Sequence, residues 1–308
     1  MKILITGGAG YIGSKLVKSL SNNKEYKITV FDNLMFDQKF QKTSDNIEQI
    51  KGDVRDKLQY KKLINNCDTV IPLAGLVGAP LCDKFPKETQ EINFEAIKFM
   101  SENLSKDQLV LMPVTNSGYG VGEKDKFCTE ETQLNPISLY GRTKVAAEKI
   151  IMERENSISF RLATVFGVSD RMRVDLLVNN FTYIAFTEKF LKLFEPHFRR
   201  NYIHLNDVVE GFIFGIKNFN LLKSEIYNLG LSEANLTKQQ LCEEIQKIIT
   251  DFKFEISLDG FDADKRDYYV SNEKIEKKGF KAKTHLSDGI KELVNYFSNS
   301  DFKLSRNY

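Results

Sequence analysis

Several chemistries are poorly provided for in this 308-residue sequence. It has three histidines, His197, His204 and His285, and four cysteines, Cys67, Cys82, Cys128 and Cys242, with no CxxC pair and no HExxH segment. That pattern argues against a zinc site, a metalloprotease helix and a disulfide framework. Long hydrophobic runs are missing too. The first, Ile3-Leu4-Ile5, stops at a glycine cluster, and no window reaches the roughly 18 apolar residues of a membrane span. Nor does charge of one sign dominate: 44 Lys and Arg face 42 Asp and Glu, a net charge of +2. Attraction of the whole molecule to nucleic acid or a membrane surface is therefore not expected, and an anionic partner must be gripped locally. Six prolines and no Gly/Ser run leave no marked linker. What remains, 42% hydrophobic and 28% charged, is the composition of a protein that buries a large core. We expect a metal-free cytoplasmic protein of about two domains.

The first half alternates short β-rich runs with amphipathic stretches, the βαβ rhythm of a parallel sheet. Strands are expected at Lys2 to Ile5, Lys27 to Phe31, Gln49 to Lys51, Thr69 to Leu73, Leu109 to Val114 and Ser159 to Ala163. Most are nearly continuous apolar runs, as strands covered on both faces should be. Helical spacing appears at Ser14 to Leu20, Phe94 to Leu104 and Tyr140 to Asn156, where Glu148-Lys149 reads as part of a charged stripe. Further on, a strand from Asn201 to Leu205, a helix from about Asp207 to Lys217 and a strand from Glu225 to Leu229 are expected. From Asn235 the chain reads as mainly helical, through Leu241 to Ile249 and Leu286 to Phe297. The fold class is therefore α/β, a Rossmann-type doubly wound parallel sheet with a smaller mixed α/β substrate-binding domain. The dinucleotide domain would take 1–167 and about 201–232, the second domain about 168–200 and 233–308.

The first strand runs into Thr6-Gly7-Gly8-Ala9-Gly10-Tyr11-Ile12-Gly13, followed by a helix. A tight strand-to-helix turn needs positive φ and close approach of backbone to a pyrophosphate, which glycine permits, and the helix N-terminus adds a favourable dipole. Asp32, about 20 residues past Gly13, stands where an acid binds the ribose hydroxyls and repels a 2′-phosphate, so NAD is expected over NADP. Asp53-Val54, after the third strand, is a candidate cap for the adenine.

Tyr140-Gly141-Arg142-Thr143-Lys144 is a YxxxK pattern, which on a helix puts phenol and ammonium on one face. A tyrosine with an unperturbed pKa of about 10 must shift by about 3 to act as a base near pH 7, or roughly 4 kcal/mol. Lys144 and an oxidised nicotinamide together could supply that, since one nearby cation gives about 1 to 3. Tyr140 would then take a hydroxyl proton while hydride leaves for the cofactor. Thr115 and Ser117, after the fifth strand, are candidate donors to the substrate oxygen. A non-catalytic dinucleotide sensor would need none of these side chains.

For the substrate side, Arg171, Arg173, Arg199, Arg200, Lys265 and Arg266 are available to grip phosphate. Arg171 and Arg173 could equally lie on a solvated loop. Asn179 is a candidate polar contact. His204 reads as structural, and Phe181, Phe186, Phe190 and Phe194 as core.

TGGAGYIG with Asp32-Asn33-Leu34, Thr115 before Tyr119-Gly120, Tyr140xxxLys144, Arg161-Leu162-Ala163-Thr164-Val165-Phe166-Gly167 and Arg200-Asn201-Tyr202-Ile203-His204 resemble the extended short-chain dehydrogenase/reductase family of nucleotide-sugar epimerases, dehydratases and reductases. That resemblance implies Thr115, four residues before the Tyr-Gly, as the third catalytic group beside Tyr140 and Lys144. It implies cofactor contacts from Gly7, Gly10, Tyr11, Ile12, Gly13, Asp32, Asn33, Asp53, Val54 and the Leu73-Ala74-Gly75 segment. Substrate contacts are implied for Asn116, Ser117, Thr164, Arg200 and Arg266. The dehydratases carry Asp-Glu after the catalytic Thr, whereas Asn116-Ser117 stands here, so dehydration is disfavoured. Pro72 replaces a frequent His and Thr164 a frequent substrate-contacting Asn. Segments 33–38, 76–82, 115–120 and 171–173 are most similar to bacterial GDP-heptose 4-dehydrogenases of capsule synthesis. The implied activity is NAD-dependent oxidation at C4 of a nucleotide sugar, with a 2-keto acid as a candidate electron acceptor, or 4-epimerisation through a transient 4-keto sugar. A homodimer paired through helices is the family expectation.

Overall fold

In the computed structural model the described residues are 1–40, 44–123, 126–258, 266–299 and 306–307. The chain starts with β1 (Lys2–Thr6), α1 (Tyr11–Leu20), β2 (Lys27–Asp32), β3 (Ile47–Lys51), α2 (Lys57–Ile64) and β4 (Thr69–Pro72). Two short helices, α3 (Ala79–Lys84) and α4 (Pro86–Gln90), lead through a wide π turn (Glu91–Glu95) into α5 (Ala96–Asn103) and β5 (Leu109–Thr115). A 3-10 turn (Asn116–Tyr119) and the two-residue β6 (Phe127–Cys128) precede α6 (Leu139–Met152), β7 (Ser157–Leu162) and β8 (Thr164–Phe166). Then come α7 (Leu177–Thr187), β9 (Phe190–Leu193), β10 (Arg199–His204), α8 (Leu205–Lys217), α9 (Phe219–Leu222) and β11 (Glu225–Leu229). The last elements are β12 (Asn235–Thr237), α10 (Lys238–Ile248), β13 (Lys253–Ile256), β14 (Tyr269–Val270), α11 (Glu273–Lys277) and α12 (Leu286–Phe297).

Seven strands form one sheet in the order β11-β7-β5-β4-β1-β2-β3, and the β1–β2, β1–β4, β2–β3 and β4–β5 pairs are parallel. Burial follows position. The four residues of β4 and all six of β7 are buried, whereas edge strand β3 has no fully buried residue. The strand order reverses between β1 and β4, the switch point where such sheets leave a crevice beyond the strand ends.

The chain divides into two compact units. The first comprises 1–115, 138–161 and 209–227; the second comprises 116–137, 162–208 and 228–308. The first unit's core includes Leu4, Phe31, Ile64, Val70, Met100 and Ile151. The second unit contains a β12-β10-β8 sheet and two strand pairs, β13–β9 and β14–β6.

Three expectations are adjusted here. The regular structure after Asn235 is mainly the helices α10, α11 and α12, as expected, but it also holds three strands that were not: β12, β13 and β14 pair with β10, β9 and β6, strands far away in sequence. Strands of two to four residues are too short to show a period of two, so only pairing reveals them. Phe181 is buried, but α7 ends at Thr187, Lys189 takes positive φ, and Phe190 opens β9 with 43% exposure. Phe190 is therefore not core. Glu148, expected on a charged stripe of α6 beside its apolar one, is 2% exposed. No described helix is long and apolar enough to cross a membrane.

Candidate active site

The glycine turn is shaped by contacts no side chain could tolerate. Gly7 has φ +69, and a Cβ there would lie 2.5 Å from the Ala74 nitrogen. A Cβ on Gly13 would lie 2.4 Å from the Gly7 oxygen. The Gly7 N–H donates to Phe31 O at 2.8 Å and the Gly10 N–H to Gly7 O at 3.0 Å, which closes the turn beneath α1. Gly10 caps α1 without a side chain, and the first turn contains no acid. The N-terminus of α1, at Tyr11-Ile12-Gly13, presents the positive end of its dipole, a setting suited to a diphosphate.

Asp32, 6% exposed at the end of β2, is held beside that turn. Its Oδ2 accepts from the Ala9 N–H at 3.0 Å, and its Oδ1 accepts from the Leu34 N–H at 2.9 Å and Gln38 Nε2 at 3.1 Å. Leu34 reaches Asp32 with a left-handed φ of 59. The carboxylate is thereby fixed in place. Asp53 accepts from Arg55 Nε at 2.9 Å, Arg55 Nη2 at 2.8 Å and Asn33 Nδ2 at 3.0 Å. The Arg55 hydrogen bond, despite partial burial, holds its carboxyl at about 2. Asn33 and Asp53 are thus joined, and Val54 beside them is buried.

Leu73-Ala74-Gly75 follows β4 at the switch point. Asn93, in the π turn, donates to Leu76 O at 2.8 Å and accepts from the Leu76 N–H at 2.9 Å, and its Oδ1 would lie 3.0 Å from a Cβ on Gly75. Asn93 therefore positions this segment, a role sequence reasoning missed. Its one signal was an amide within the apolar run Ile92-Asn93-Phe94. Arg55 and Gln38 were missed as well, since both act through a neighbouring acid.

Ser138 caps α6, accepting from the Gly141 N–H at 3.1 Å. That starts the helix at Leu139, so Tyr140 and Lys144 fall one turn apart on it. The helix packs on β5, whose last residue is Thr115, 8% exposed. Tyr140 and Ala74 pack against the same apolar cluster. Burial pulls the Lys144 ammonium down to about 8, opposed by the Glu148 carboxylate and the Cys82 thiol. All three catalytic candidates belong to the first unit, together with the glycine turn and Asp32.

In the second unit the expected substrate residues fall into two groups. Arg266 donates to Ser117 Oγ, and Arg200, 2% exposed, donates to the carbonyls of Arg266 and, at 2.8 Å, Arg199. Its guanidinium also lies over the rings of Phe198 and Tyr268. The structure thus brings Ser117, Arg200 and Arg266 together. Arg199 instead pairs with Asp267 at 2.7 Å, and this outweighs burial to lower the Asp267 pKa. Lys265 lies outside the described residues. Arg171 and Arg173 are 7% and 6% exposed, so neither sits on a solvated loop, and Arg173 pairs with Asp175. Asn179 accepts from the Gly167 N–H at 3.0 Å and donates to Arg173 O at 2.8 Å, which tethers these segments. Thr164 opens β8, half-buried. Asn116 is 2% exposed, and neither of its amide atoms has a hydrogen-bond partner. His204 Nε2 lies 2.7 Å from Glu292, and its Nδ1 accepts from the Asn206 N–H, a structural arrangement.

A putative UDP-glucose 4-epimerase of Methanocaldococcus jannaschii is 27% identical over 320 residues, covering 97% of this chain and 99% of that protein. Among solved structures, dTDP-glucose 4,6-dehydratase of Bacillus anthracis in complex with NAD has a TM-score of 0.84 at 23% identity, covering 98% of this chain and 97% of that one. UDP-glucose 4-epimerase of Thermotoga maritima with UDP-glucose has a TM-score of 0.83 at 24% identity, covering 97% and 99%. These likenesses establish the shared fold. The NAD-dependent epimerase/dehydratase family model matches residues 3–230, and the chain belongs to that family of NAD-dependent nucleotide-sugar enzymes.

Proposed function

We propose that the chain oxidises C4 of a nucleoside-diphosphate sugar to a 4-keto sugar, with Tyr140 as base, Lys144 as its cationic partner and Thr115 as donor to the substrate oxygen. The supporting observation is that Tyr140 and Lys144 stand one turn apart on α6, packed on the strand that ends at Thr115, in the unit that also carries the glycine turn. NAD, when bound, accepts the hydride. The Lys144 ammonium, protonated below about 8, favours the Tyr140 phenolate at neutral pH. Gly7, Gly10 to Gly13, Asp32, Asn33, Asp53, Val54 and Leu73 to Gly75 are assigned to the cofactor. Arg200 and Arg266, with Arg171 and Arg173, are assigned to the diphosphate. Asn116, Ser117, Thr164 and Asn179 are assigned to the sugar side. Neither Asn116 nor Ser117 is an acid, which disfavours loss of water.

The finer reading follows the sequence resemblance: a GDP-heptose-like substrate oxidised for surface-polysaccharide synthesis in the cytoplasm, with a 2-keto acid regenerating NAD, by a homodimer. The alternative is a 4-epimerase that re-reduces the keto sugar on its other face, and the full-length likeness to a putative UDP-glucose 4-epimerase favours it. Incubation of the purified protein with UDP-glucose and with GDP-sugars, with and without a 2-keto acid, separates the two. Net NADH formation or keto-acid consumption identifies a dehydrogenase; a new sugar isomer without redox change identifies an epimerase; neither product overturns both.

A further inference from the structure

The chain that leaves β2 folds back on Asp32. At the far end of this loop Gln38, half-buried, donates from Nε2 to Asp32 Oδ1 at 3.1 Å and accepts at Oε1 from the Phe36 N–H at 2.9 Å. At its near end Asn33 accepts from the Met35 N–H at 3.1 Å and donates to Asp53 at 3.0 Å. Between them the Asp37 N–H donates to Leu34 O at 3.1 Å, and Leu34 and Asp37 both take left-handed φ, 59 and 57. That conformation is costly for a residue such as Leu34 and persists only where surrounding contacts hold it. Phe36 supplies one more, packing against the first unit's apolar cluster.

Asp32 is consequently gripped at both oxygens. The Ala9 N–H of the glycine turn holds Oδ2, while the Leu34 N–H and the Gln38 amide hold Oδ1. A carboxylate bound at each end cannot rotate without breaking a hydrogen bond. We propose that Gln38 is a positioning residue for the cofactor, which acts by holding the Asp32 carboxylate in the orientation that meets the adenosine ribose of NAD. The inference rests on the assignment of Asp32 to the cofactor. A side chain ordered before the ligand arrives loses no further freedom on binding, so affinity is higher. Gln38 suits the task because one end of its amide is anchored by the Phe36 N–H while the other donates to the acid. Residues 33–38 also bring no Lys or Arg that could offset a 2′-phosphate, in keeping with NAD as the ligand.

The test is calorimetric titration of NAD into the full chain and into Gln38→Leu, Asp32→Ala and the double variant. Gln38→Leu should raise Kd roughly 3- to 10-fold, the effect of one side chain's lost order. In the Asp32→Ala background the same change should add nothing, because Gln38 acts through the carboxylate. An equal rise in both backgrounds makes Gln38 a loop-folding residue and overturns the proposal. So does unchanged or tighter binding in Gln38→Leu, the result if the amide competes with the ribose for Asp32. Asp32→Ala strands the Ala9 and Leu34 N–H groups, so an NAD analogue lacking both adenosine ribose hydroxyls is titrated as well. Equal affinity of that analogue for the parent and Gln38→Leu supports the proposal, and a loss as large as that seen with NAD overturns it. Unchanged NAD binding in Asp32→Ala removes Asp32 from the cofactor site and the proposal with it. Weaker binding in Asp32→Ala with no effect of Gln38→Leu sinks this inference alone. No titration needs a sugar, so failure of the proposed C4 oxidation leaves the result standing.

Discussion

In the first unit Tyr140 and Lys144 owe their alignment to four residues of one helix, whereas in the second unit Ser117 and Arg266 meet across 149 residues of chain. The backing differs as well. Helix α6 rests on an apolar cluster, while the second unit's arginines are buried among carbonyls, carboxylates and rings, as Arg200 and Arg173 show. A locally encoded pair tolerates change elsewhere, because helix geometry alone sets its spacing. A cation assembled over long range depends on every segment that shapes its site.

Four substitutions sharpen this contrast. The largest effect is expected from Tyr140→Phe, which should lower kcat on whichever nucleotide sugar the parent turns over by about 10²- to 10⁴-fold, the usual worth of a positioned base, with its circular dichroism unchanged. Retained turnover would remove Tyr140 from catalysis. Gly7→Ala should come next. Its left-handed backbone and the 2.5 Å approach to Ala74 predict a loss on the order of 2 to 3 kcal/mol, read as a lower thermal midpoint and weaker NAD binding by calorimetry. In the second unit, Arg266→Met should raise KM for the nucleotide sugar by about 10- to 100-fold with little change in kcat, since a charged hydrogen bond contributes about 1.5 to 3 kcal/mol. An equal fall in kcat would instead place Arg266 among the reacting groups. The smallest effect concerns Asp53. Its folded value of about 2 lies under its ordinary 3.8, so its contribution is present above about pH 4 and lost as pH falls toward 2. Solvent screening limits that contribution to about 1 kcal/mol or less. Denaturant midpoints of Asp53→Asn should therefore trail the parent at pH 6 and converge with it near pH 2.

Much of the first unit was legible in the sequence because its signals are local. The apolar runs became β1, β2, β4, β5 and β7 with shifts of one or two residues at their ends, and the glycine turn, Asp32 and the Tyr140–Lys144 spacing are contiguous patterns. The long-range contacts around those groups were not legible. Asn93 acts on Leu76 and Glu148 is met by Arg161, and no period of 2 or 3.6 encodes such partners. The short strands β12 to β14 escaped for the same reason, since each exists only through a distant partner.

The amino-acid order alone therefore determined the alternation of strands and helices, the dinucleotide turn and the face shared by phenol and ammonium, all properties of φ, ψ and helical or pleated periodicity. Only tertiary structure decided which charges are buried and what satisfies them. Glu148 and Lys149 are adjacent in sequence, yet one lies inside against Arg161 and the other in solvent. Burial sets the strength of a charge, and burial depends on neighbours brought in from elsewhere in the chain.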